Sequence, residues 1–374
     1  MAGIYVHIPF CASRCIYCGF CSTTRLELRR RYVDALCMEL RQRENYINER
    51  ARTIYIGGGT PSQLSADDLL RLFDSLDCSG AVEVTIECNP DDVTPDYAEL
   101  LGRLPVNRVS MGVQTFSDER LRFLRRRHDA RQVPVAIERL RGAGLENLSI
   151  DLMYGFPDER LSDWHDDIDQ ALRLDVEHIS AYGLMYEEGT PLYRLLEQGK
   201  IGEVDEELSL RMYSDLVGKL SDNGFEHYEI SNFAKWKKGE AHASYRSQHN
   251  SSYWNQTPYL GVGAAAHSFD GKSRQWNTAD IEAYICGMEQ GRPVYEREET
   301  DRSTRYNDLV LTSLRTCEGL DLDLLSTDER NYCLEQAKRY IDDQRLRRVG
   351  TRLVLTRRGI FVSNMIMGDL MWVD

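Results

Sequence analysis

The sequence predicts an α/β fold: a partial (β/α)6 TIM-type barrel followed by a C-terminal α+β unit that resembles a winged helix. Short apolar, β-branched runs recur through the first half of the chain, helix-like stretches separate them, and the pattern changes after about residue 190. Strands that alternate with helices indicate βαβ units and a parallel sheet. Six such units are too few to close an eight-stranded barrel, so an open barrel fits the number.

The six predicted strands are short and bounded by turn residues or by helix-like stretches. They are IYVHI (4–8), TIYIG (53–57), VTIEC (84–88), RVSMG (108–112), LSIDLMYG (148–155) and HISAYGL (178–184). Between them, Ser65 precedes ADDLLRLFDSL and Ser162 precedes DWHDDIDQAL. A serine directly before a helical stretch predicts a side-chain cap at the helix N terminus.

The remainder of the chain divides at changes in composition. We predict a barrel core over residues 1–235, a connecting segment over 236–300 and a winged-helix-like domain over 301–374. In the last domain, predicted helices at 304–315 and 328–344 precede a β-wing in LRRVGTRLVLTRRG and a terminal helix. Winged helices often bind DNA, but the net charge of −14 repels phosphate backbones. We therefore expect no nucleic-acid partner and interpret this domain as structural or partner-docking.

Composition indicates an ordinary soluble globular protein, with 42% hydrophobic and 28% charged residues among 374. No apolar run is long enough to span a bilayer. The start, MAGIYVHIPF, lacks the basic and long apolar regions of a signal peptide. The sequence therefore predicts a cytoplasmic protein.

Four of the ten cysteines fall within the stretch CASRCIYCGFCS, directly after the first predicted strand. Zinc sites usually require a second pair of ligands, which the sequence lacks. A redox CxxC motif would leave Cys11 unexplained. Thiolates at such spacings are typical of an iron–sulfur cluster.

The other six cysteines are scattered singly along the chain. A reducing cytoplasm opposes disulfides, so we expect these six to be small buried apolar residues. They are Cys37, Cys78, Cys88, Cys286, Cys317 and Cys333.

The first three clustered cysteines, Cys11, Cys15 and Cys18, form CxxxCxxC. Three thiolates can hold three irons of a [4Fe–4S] cube and leave the fourth iron open to a ligand. Cys21, as a fourth ligand, would instead close the cluster and give an electron-transfer protein. Polar residues at the ends of the later strands, together with GGGTP (57–61) after the second, favour the open site.

The CxxxCxxC spacing after a first strand, with GGGTP after the second, resembles the radical SAM family. Longer stretches resemble the group within it that contains oxygen-independent coproporphyrinogen III dehydrogenase and related heme chaperones. These stretches are YVHIPFC, IGGGTPSQL, SMGVQTF, IDLMYGFP and YEISNFAK. The resemblance implies a [4Fe–4S] cluster on Cys11, Cys15 and Cys18, with S-adenosylmethionine (SAM) at the open iron. It also implies that an electron from the cluster cleaves SAM to a 5′-deoxyadenosyl radical.

The same resemblance implies a SAM pocket at the strand ends. SAM offers a carboxylate to an arginine and ribose hydroxyls to carboxylates and amides. Each residue also has a plainer interpretation: Arg126 as a surface cation, Glu87 as a helix cap, and Tyr17 as a core aromatic. The implied SAM contacts are Tyr5, Tyr17, Gly58, Gly59, Thr60, Glu87, Gln114, Arg126 and Asp151.

Two functions in porphyrin metabolism follow from the resemblance. One is an enzyme that oxidatively decarboxylates two propionates of coproporphyrinogen III. The other is a chaperone that binds heme and passes it to apoproteins, membrane-associated ones among the candidates; whether it is also an enzyme stays open. Phe20 stands where the dehydrogenases carry a further cysteine, which favours the chaperone. A homodimer is compatible with either function.

The stretch QHNSSYW (248–254) matches the HNxxYW motif of the heme chaperones. By that resemblance, His249, Asn250, Tyr253 and Trp254 contact heme. Ligation of heme iron by His249 is one interpretation, and a packed loop with a hydrogen-bonded histidine is the other. The preceding stretch WKKGEAHASYRSQ is longer than is usual for the family, and brings His242 close in sequence.

Overall fold

The computed structural model describes residues 2–236 and 244–373, so His242 lies outside the described residues. A twelve-stranded sheet dominates the fold, and six of its strands run parallel in chain order, as predicted. These six are β1 (Ala2–Ile8), β2 (Ala51–Gly58), β3 (Glu83–Cys88), β4 (Arg108–Gln114), β5 (Asn147–Tyr154) and β6 (His178–Gly183).

Helices connect the parallel strands, which makes each connection a βαβ unit. The helices between β1 and β6 are α1 (Arg29–Gln42), α2 (Ala66–Asp74), α3 (Pro95–Arg103), α4 (Asp118–Phe123), α5 (Gln132–Gly142) and α6 (Leu161–Arg173). Two more follow β6, α7 (Pro191–Glu197) and α8 (Glu206–Asp222).

Alternate side chains of the parallel strands point in opposite directions. Val6, Ile54 and Ile86 are fully buried in the apolar core that the strands share with the helices. The intervening positions are polar or aromatic, as at Tyr5 and Tyr55, whose rings lie 6.2 Å apart. The outer face of the sheet therefore supplies the core, and the inner face leaves polar groups inside the barrel.

The sheet extends beyond the six predicted strands on both sides. On the β6 side, an antiparallel hairpin adds two strands. On the β1 side, one strand pairs parallel with β1 and three antiparallel strands follow it. The added strands are β7 (Phe225–Glu229), β8 (Asn232–Lys235), β9 (Tyr259–Val262), β10 (His267–Phe269), β11 (Ser273–Asn277) and β12 (Tyr295–Glu299).

Two helices lie within residues 244–300, α9 (Gln248–Trp254) and α10 (Ile281–Glu289). The predicted division of the chain at residues 235 and 300 stays a prediction. Strands from both sides of residue 235 nevertheless share one sheet.

The C-terminal region has the predicted order of elements and a small core of its own, which includes Tyr306, Leu353 and Ile366. Two helices are followed by a hairpin and a terminal helix. The elements are α11 (Arg302–Ser313), β13 (Leu320–Asp321), α12 (Thr327–Asp342), β14 (Leu346–Val349), β15 (Arg352–Leu355), α13 (Arg357–Ile360) and α14 (Ser363–Leu370).

One of the two predicted serine caps is confirmed. Ser65 accepts a hydrogen bond from the backbone N–H of Asp68 at 3.1 Å. The prediction for Ser162 is wrong, because α6 begins at Leu161, one residue before it. There the Asp163 carboxylate accepts a hydrogen bond from the backbone N–H of Arg160 at 3.2 Å, which satisfies a free donor at the helix start.

The scattered cysteines are only partly as expected. Cys37, Cys88 and Cys333 are buried, and Cys78 and Cys286 are partly buried. For Cys317 the prediction is wrong, since this residue is exposed beside Arg246. Within the two described ranges, no helix combines the length and the apolar character needed to cross a membrane.

Candidate functional site at the carboxyl ends of the strands

The cysteine-rich loop follows β1 and is closed at its base by two backbone hydrogen bonds. The N–H of Cys11 donates to the carbonyl of Thr23 at 2.9 Å, and the N–H of Thr23 donates to the carbonyl of Pro9 at 2.7 Å. Further along, the N–H of Leu192 donates to the carbonyl of Ile16 at 2.9 Å. These bonds hold the loop over the carboxyl ends of the parallel strands.

Each of the first two cysteines touches a residue from another strand end. Thr60 Oγ1 donates to Cys11 Sγ at 3.5 Å, and Arg126 Nη1 donates to Cys15 Sγ at 3.5 Å. Cys18 follows one turn later, its N–H 3.5 Å from the carbonyl oxygen of Cys15. Burial raises the pKa of the Cys11 and Cys18 thiols, so metal binding at these positions would have to displace protons.

Cys21 has hydrogen-bond partners of its own. Its Sγ donates to the carbonyl of Ala279 at 3.2 Å. His7 Nε2 donates to the carbonyl of Cys21 at 2.9 Å, and His7 Nδ1 accepts from the Tyr5 hydroxyl at 2.9 Å. These contacts link Cys21 to β1 through His7 and to the segment before α10 through Ala279.

The triplet does not have the geometry of a single-ion site. Across the described parts of the chain, no group of three or more His, Cys, Asp or Glu side chains is arranged to hold one metal ion. An iron–sulfur cube distributes its thiolate ligands over separate irons rather than gathering them at one.

The glycine turn after β2 lies directly under the cysteine loop. Gly58 has φ +113°, a conformation that favours glycine. A Cβ on Gly59 would lie 2.8 Å from the carbonyl carbon of Pro9 and 3.0 Å from Cys11 Sγ. Thr60 is buried and also accepts a hydrogen bond from Asn89 Nδ2 at 3.4 Å. The turn therefore brings bare backbone to the cysteines, which fits close approach of a cluster and its ligand.

Two carboxylates and one cation lie inside the barrel below this turn. Glu87 accepts from the Tyr55 hydroxyl at 2.7 Å and from the N–H of Gly58 at 3.0 Å. Burial raises the pKa of Glu87 to about 7 and also raises that of Asp151. The buried Arg108 guanidinium opposes both shifts. Glu87 does not cap a helix, because its partners belong to β2 and to the glycine turn.

Arg126 and Gln114 complete the rim at the end of β4. Gln114 has φ +70°, and a Cβ on Gly112 would lie 2.8 Å from its Nε2. Arg126 Nη2 donates to the carbonyl of Gly112 at 2.6 Å and to Asn89 Oδ1. Arg126 Nε is buried and has no hydrogen-bond partner among the described residues. The surface-cation interpretation therefore does not fit Arg126, and its free N–H suits an anionic ligand.

Tyr5 and Tyr17, the two tyrosines among the implied SAM contacts, lie in different surroundings. Tyr5 lies on the inner face, hydrogen-bonded to His7. Tyr17 packs against the small apolar cluster that includes Ile16 and Leu124, and burial, with the neighbouring Cys15 adding to it, raises the pKa of its hydroxyl. Tyr17 is therefore both a packed aromatic and a neighbour of the cysteine triplet.

Several polar residues of this site were not singled out from the sequence. Arg108 is 1% exposed, and its Nε and Nη1 have no hydrogen-bond partner within the described residues. The alternation of polar and apolar residues along the strands could have predicted which polar side chains face the barrel interior. The other such residues are His7, Asn89, Ser110 and Ser180.

The QHNSSYW motif forms α9, which lies at the opposite, amino-terminal end of β1 and β2. His249 is fully buried. Its Nδ1 pairs with Thr53 Oγ1 at 2.9 Å and its Nε2 with the Tyr253 hydroxyl at 2.8 Å. The Glu83 carboxylate accepts from the N–H groups of Gln248 and His249 at 2.9 and 2.8 Å. The motif thus closes the barrel at the amino-terminal ends of its strands.

Burial lowers the pKa of His249 to about 3, so the imidazole is neutral at physiological pH. Its contacts match the second interpretation from the sequence, a packed motif with a hydrogen-bonded histidine. Ligation of heme iron by His249 would require both imidazole contacts to break, and it stays a prediction. Asn250, Tyr253 and Trp254 are partly buried on the same helix.

Comparisons with known proteins identify the class to which this fold belongs. The family model of the Radical SAM superfamily matches residues 5–171, and that of the HemN C-terminal domain matches residues 301–362. The structure of coproporphyrinogen III oxidase (HemN) from Escherichia coli superposes with a TM-score of 0.83 at 22% identity, covering 99% of this chain and 90% of that one. The fold and these matches define a protein of the radical SAM superfamily.

Curated relatives show to which family within the superfamily the chain belongs. The heme chaperone HemW of Bacillus subtilis is 35% identical over 86% of this chain and 85% of its own length. The heme chaperone HemW of Lactococcus lactis is 31% identical over 99% of this chain and 97% of its own length. The chain therefore belongs to the HemW family.

Proposed function

We propose that this protein is a heme chaperone that binds heme and delivers it to acceptor proteins, and that it carries a [4Fe–4S] cluster and SAM. Cys11, Cys15 and Cys18 would hold the cluster. The residues around the glycine turn and the rim, from Tyr5 to Asp151, would hold SAM. Bound there, the cluster and SAM supply one-electron chemistry.

The position of Cys21 carries the cluster assignment. Cys11 lies beside the bare backbone of the glycine turn, whereas the Cys21 thiol donates a hydrogen bond to the carbonyl oxygen of Ala279. A cube held by the triplet would keep one iron without a protein thiolate, which is the corner that SAM needs. The unpartnered Nε of Arg126, close to Cys15, suits the SAM carboxylate.

Two observations favour the chaperone over the dehydrogenase. The curated relatives that cover most of this chain are named heme chaperones. Phe20 occupies the position at which the dehydrogenases typically carry a further cysteine, and its side chain is 68% exposed. The structural similarity to HemN, at 22% identity, concerns the fold alone.

A parallel assay tests the proposal. The chain is reconstituted anaerobically with iron and sulfide, titrated with heme, and separately incubated with coproporphyrinogen III, SAM and a reductant. We expect heme binding and no vinyl-porphyrin product, with the Cys15→Ala chain as the clusterless control. Vinyl product that depends on SAM and reductant, and is absent from the control, would support the dehydrogenase instead.

A further inference from the structure

Arg108 is a buried cation inside the barrel that has no part in the function proposed above. It lies on β4, and its Nε and Nη1 have no hydrogen-bond partner among the described residues. Thr85, which is paired with it in register on β3, is fully buried, and its Oγ1 also lacks a partner within those residues. Burying a charge without direct partners costs free energy, so packing alone does not explain the position of Arg108.

The strand register places Arg108 below the two carboxylates of the candidate SAM pocket. Side chains alternate along a strand, so Thr85 and Glu87 share the inner face of β3, as Arg108 and Ser110 share that of β4. Glu87 is paired with Ser110, one layer above the pair of Thr85 and Arg108 and about 7 Å further along the strand. Ser110 Oγ in turn donates to Asp151 Oδ1 at 3.5 Å. The three ionisable side chains therefore share one region of the barrel interior.

The charge of Arg108 acts on both carboxylates. Burial raises the pKa of Glu87 and that of Asp151, and in each case the nearby Arg108 opposes the shift. Asp151 also raises the pKa of Glu87, because two like charges resist ionising together. A guanidinium without close partners acts over a longer range in a low-dielectric interior than one that a carboxylate neutralises. The two carboxylates thus depend on a nearby cation to stay ionised at neutral pH.

The other titratable groups that face these three side chains are uncharged at neutral pH. Burial raises the pKa of the tyrosines, which are Tyr5, Tyr55, Tyr182, Tyr228 and Tyr253. Burial likewise raises the pKa of the Cys88 thiol and lowers that of His178 and His249. These groups therefore supply no positive charge to the carboxylates.

Two further charged side chains lie at the ends of this region. Arg126 also favours ionisation of Asp151, but it lies at the rim, where it donates to Cys15 Sγ at 3.5 Å. Glu83, two residues before Thr85, accepts hydrogen bonds from the N–H groups at the start of α9. Below the pocket, positive charge therefore comes from Arg108.

We propose that Arg108 is a positioning residue of the SAM pocket, whose charge keeps Glu87 and Asp151 ionised and able to accept hydrogen bonds from ligand hydroxyls. The inference rests on the proposed binding of SAM and adds to it a residue that does not touch the ligand. An ionised carboxylate only accepts hydrogen bonds, whereas a protonated one presents a donor of its own to the donors of the ribose.

The pH dependence of SAM binding to the anaerobically reconstituted chain tests the inference. In the wild-type chain we expect the SAM Kd to rise as pH falls below about 7, where Glu87 takes up a proton. Arg108→Met removes the charge, so this rise should begin at a higher pH, and the Kd at neutral pH should be about threefold to tenfold higher. At about pH 9 the two Kd values should converge, because both carboxylates are then ionised. Arg108→Gln, which is also neutral, replaces Arg108→Met if that chain does not fold.

Two control variants separate charge from packing. Arg108→Lys keeps the charge and should keep the wild-type pH profile. Arg43→Met removes a buried arginine that Glu39 already neutralises at 2.7 Å, so it should lower stability without moving the pH profile. A profile for Arg108→Lys that matches Arg108→Met would show that charge is not the cause, and would overturn the inference.

A second measurement does not involve SAM. The stability difference between the chain and its Glu87→Gln variant, from urea denaturation, reports the titration of Glu87. In the Arg108→Met background this difference should continue to change at higher pH than in the wild-type background. If the wild-type chain binds SAM and neither measurement moves in Arg108→Met, the inference is wrong and the proposed function stands. If the reconstituted wild-type chain binds no SAM at any pH, the proposed SAM site and the inference both fail.

Discussion

The ring of Tyr55 stacks on the ring of His249, with centroids 5.2 Å apart and an angle of 30° between the planes. The hydroxyl of the same tyrosine donates to Glu87 at the other end of the barrel interior. A single side chain therefore separates the QHNSSYW motif from the carboxylate of the candidate SAM pocket. The inner face of the barrel is a continuous polar and aromatic lining, and its two ends are structurally coupled.

Replacing His249 should destabilise the fold. The His249→Ala variant loses two buried hydrogen-bond pairs and leaves a cavity against Thr53 and Tyr253. We expect its free energy of unfolding to fall by about 2–4 kcal/mol, measured by urea denaturation. His165→Ala is the control, since His165 is about one-third exposed and pairs with Asp215 on the surface; it should cost about 1 kcal/mol or less. Equal losses of stability in the two variants would contradict a structural role for His249 in closing the barrel.

The cysteine triplet should behave differently from Cys21. Replacing Cys11, Cys15 or Cys18 with alanine removes one cluster ligand, and we expect nearly complete loss of bound iron and sulfide after anaerobic reconstitution. Cys21→Ala removes only the hydrogen bond to Ala279, so it should retain both. Iron and sulfide analysis per chain measures the difference. Loss of the cluster in Cys21→Ala would indicate four cysteine ligands and no site for SAM.

The raised pKa of Glu87 predicts a pH-dependent stability. Burial raises it from 4.5 to about 7, with Asp151 adding to the shift and Arg108 opposing it. Between these values the unfolded chain has released the proton that the folded chain keeps. The stability contributed by this group is therefore present below about pH 4.5 and lost as pH rises to about 7.

The Glu87→Gln variant lacks this titration, so its stability relative to the wild-type chain should increase by about 1–3 kcal/mol between pH 4.5 and pH 8. Urea denaturation across this range measures the difference. Other titrating groups, including Glu159, are common to both chains and cancel. Glu99→Gln, at an exposed position on α3, controls for the general effect of removing a carboxylate. Parallel curves for Glu87→Gln and the wild-type chain would show that Glu87 ionises normally.

The glycine turn should not accept a side chain. In Gly59→Ala the new Cβ meets the backbone of Pro9, which cannot rotate away, so the cysteine loop must shift. We expect reduced iron incorporation after reconstitution, measured per folded chain. Gly142→Ala is the control: its Cβ, within helix α5, meets no atom within 4 Å. That variant should bind iron normally and gain up to about 1 kcal/mol of stability.

The sequence by itself determined strands β1–β6 and the main C-terminal elements. Apolar β-branched runs marked all six parallel strands, and the C-terminal helices and hairpin were predicted within a few residues. Such signals are local, because backbone preference and the alternation of side chains depend on neighbouring residues. The cysteine spacing is equally local and was sufficient to propose a cluster. The hairpin β7–β8 and the strands β9–β12 were missed, since their short runs become strands by pairing with a sheet edge.

Only the tertiary structure decided which side chains meet. Cys21 contacts a carbonyl 258 residues away, and His249 pairs with a threonine 196 residues away. These contacts gave the fourth cysteine a backbone partner and placed the histidine of the motif inside the barrel. The exposure of Cys317 depends in the same way on how the C-terminal domain packs against the barrel edge. Burial and hydrogen bonding between distant segments are properties of the packed chain, and no local pattern of residues encodes them.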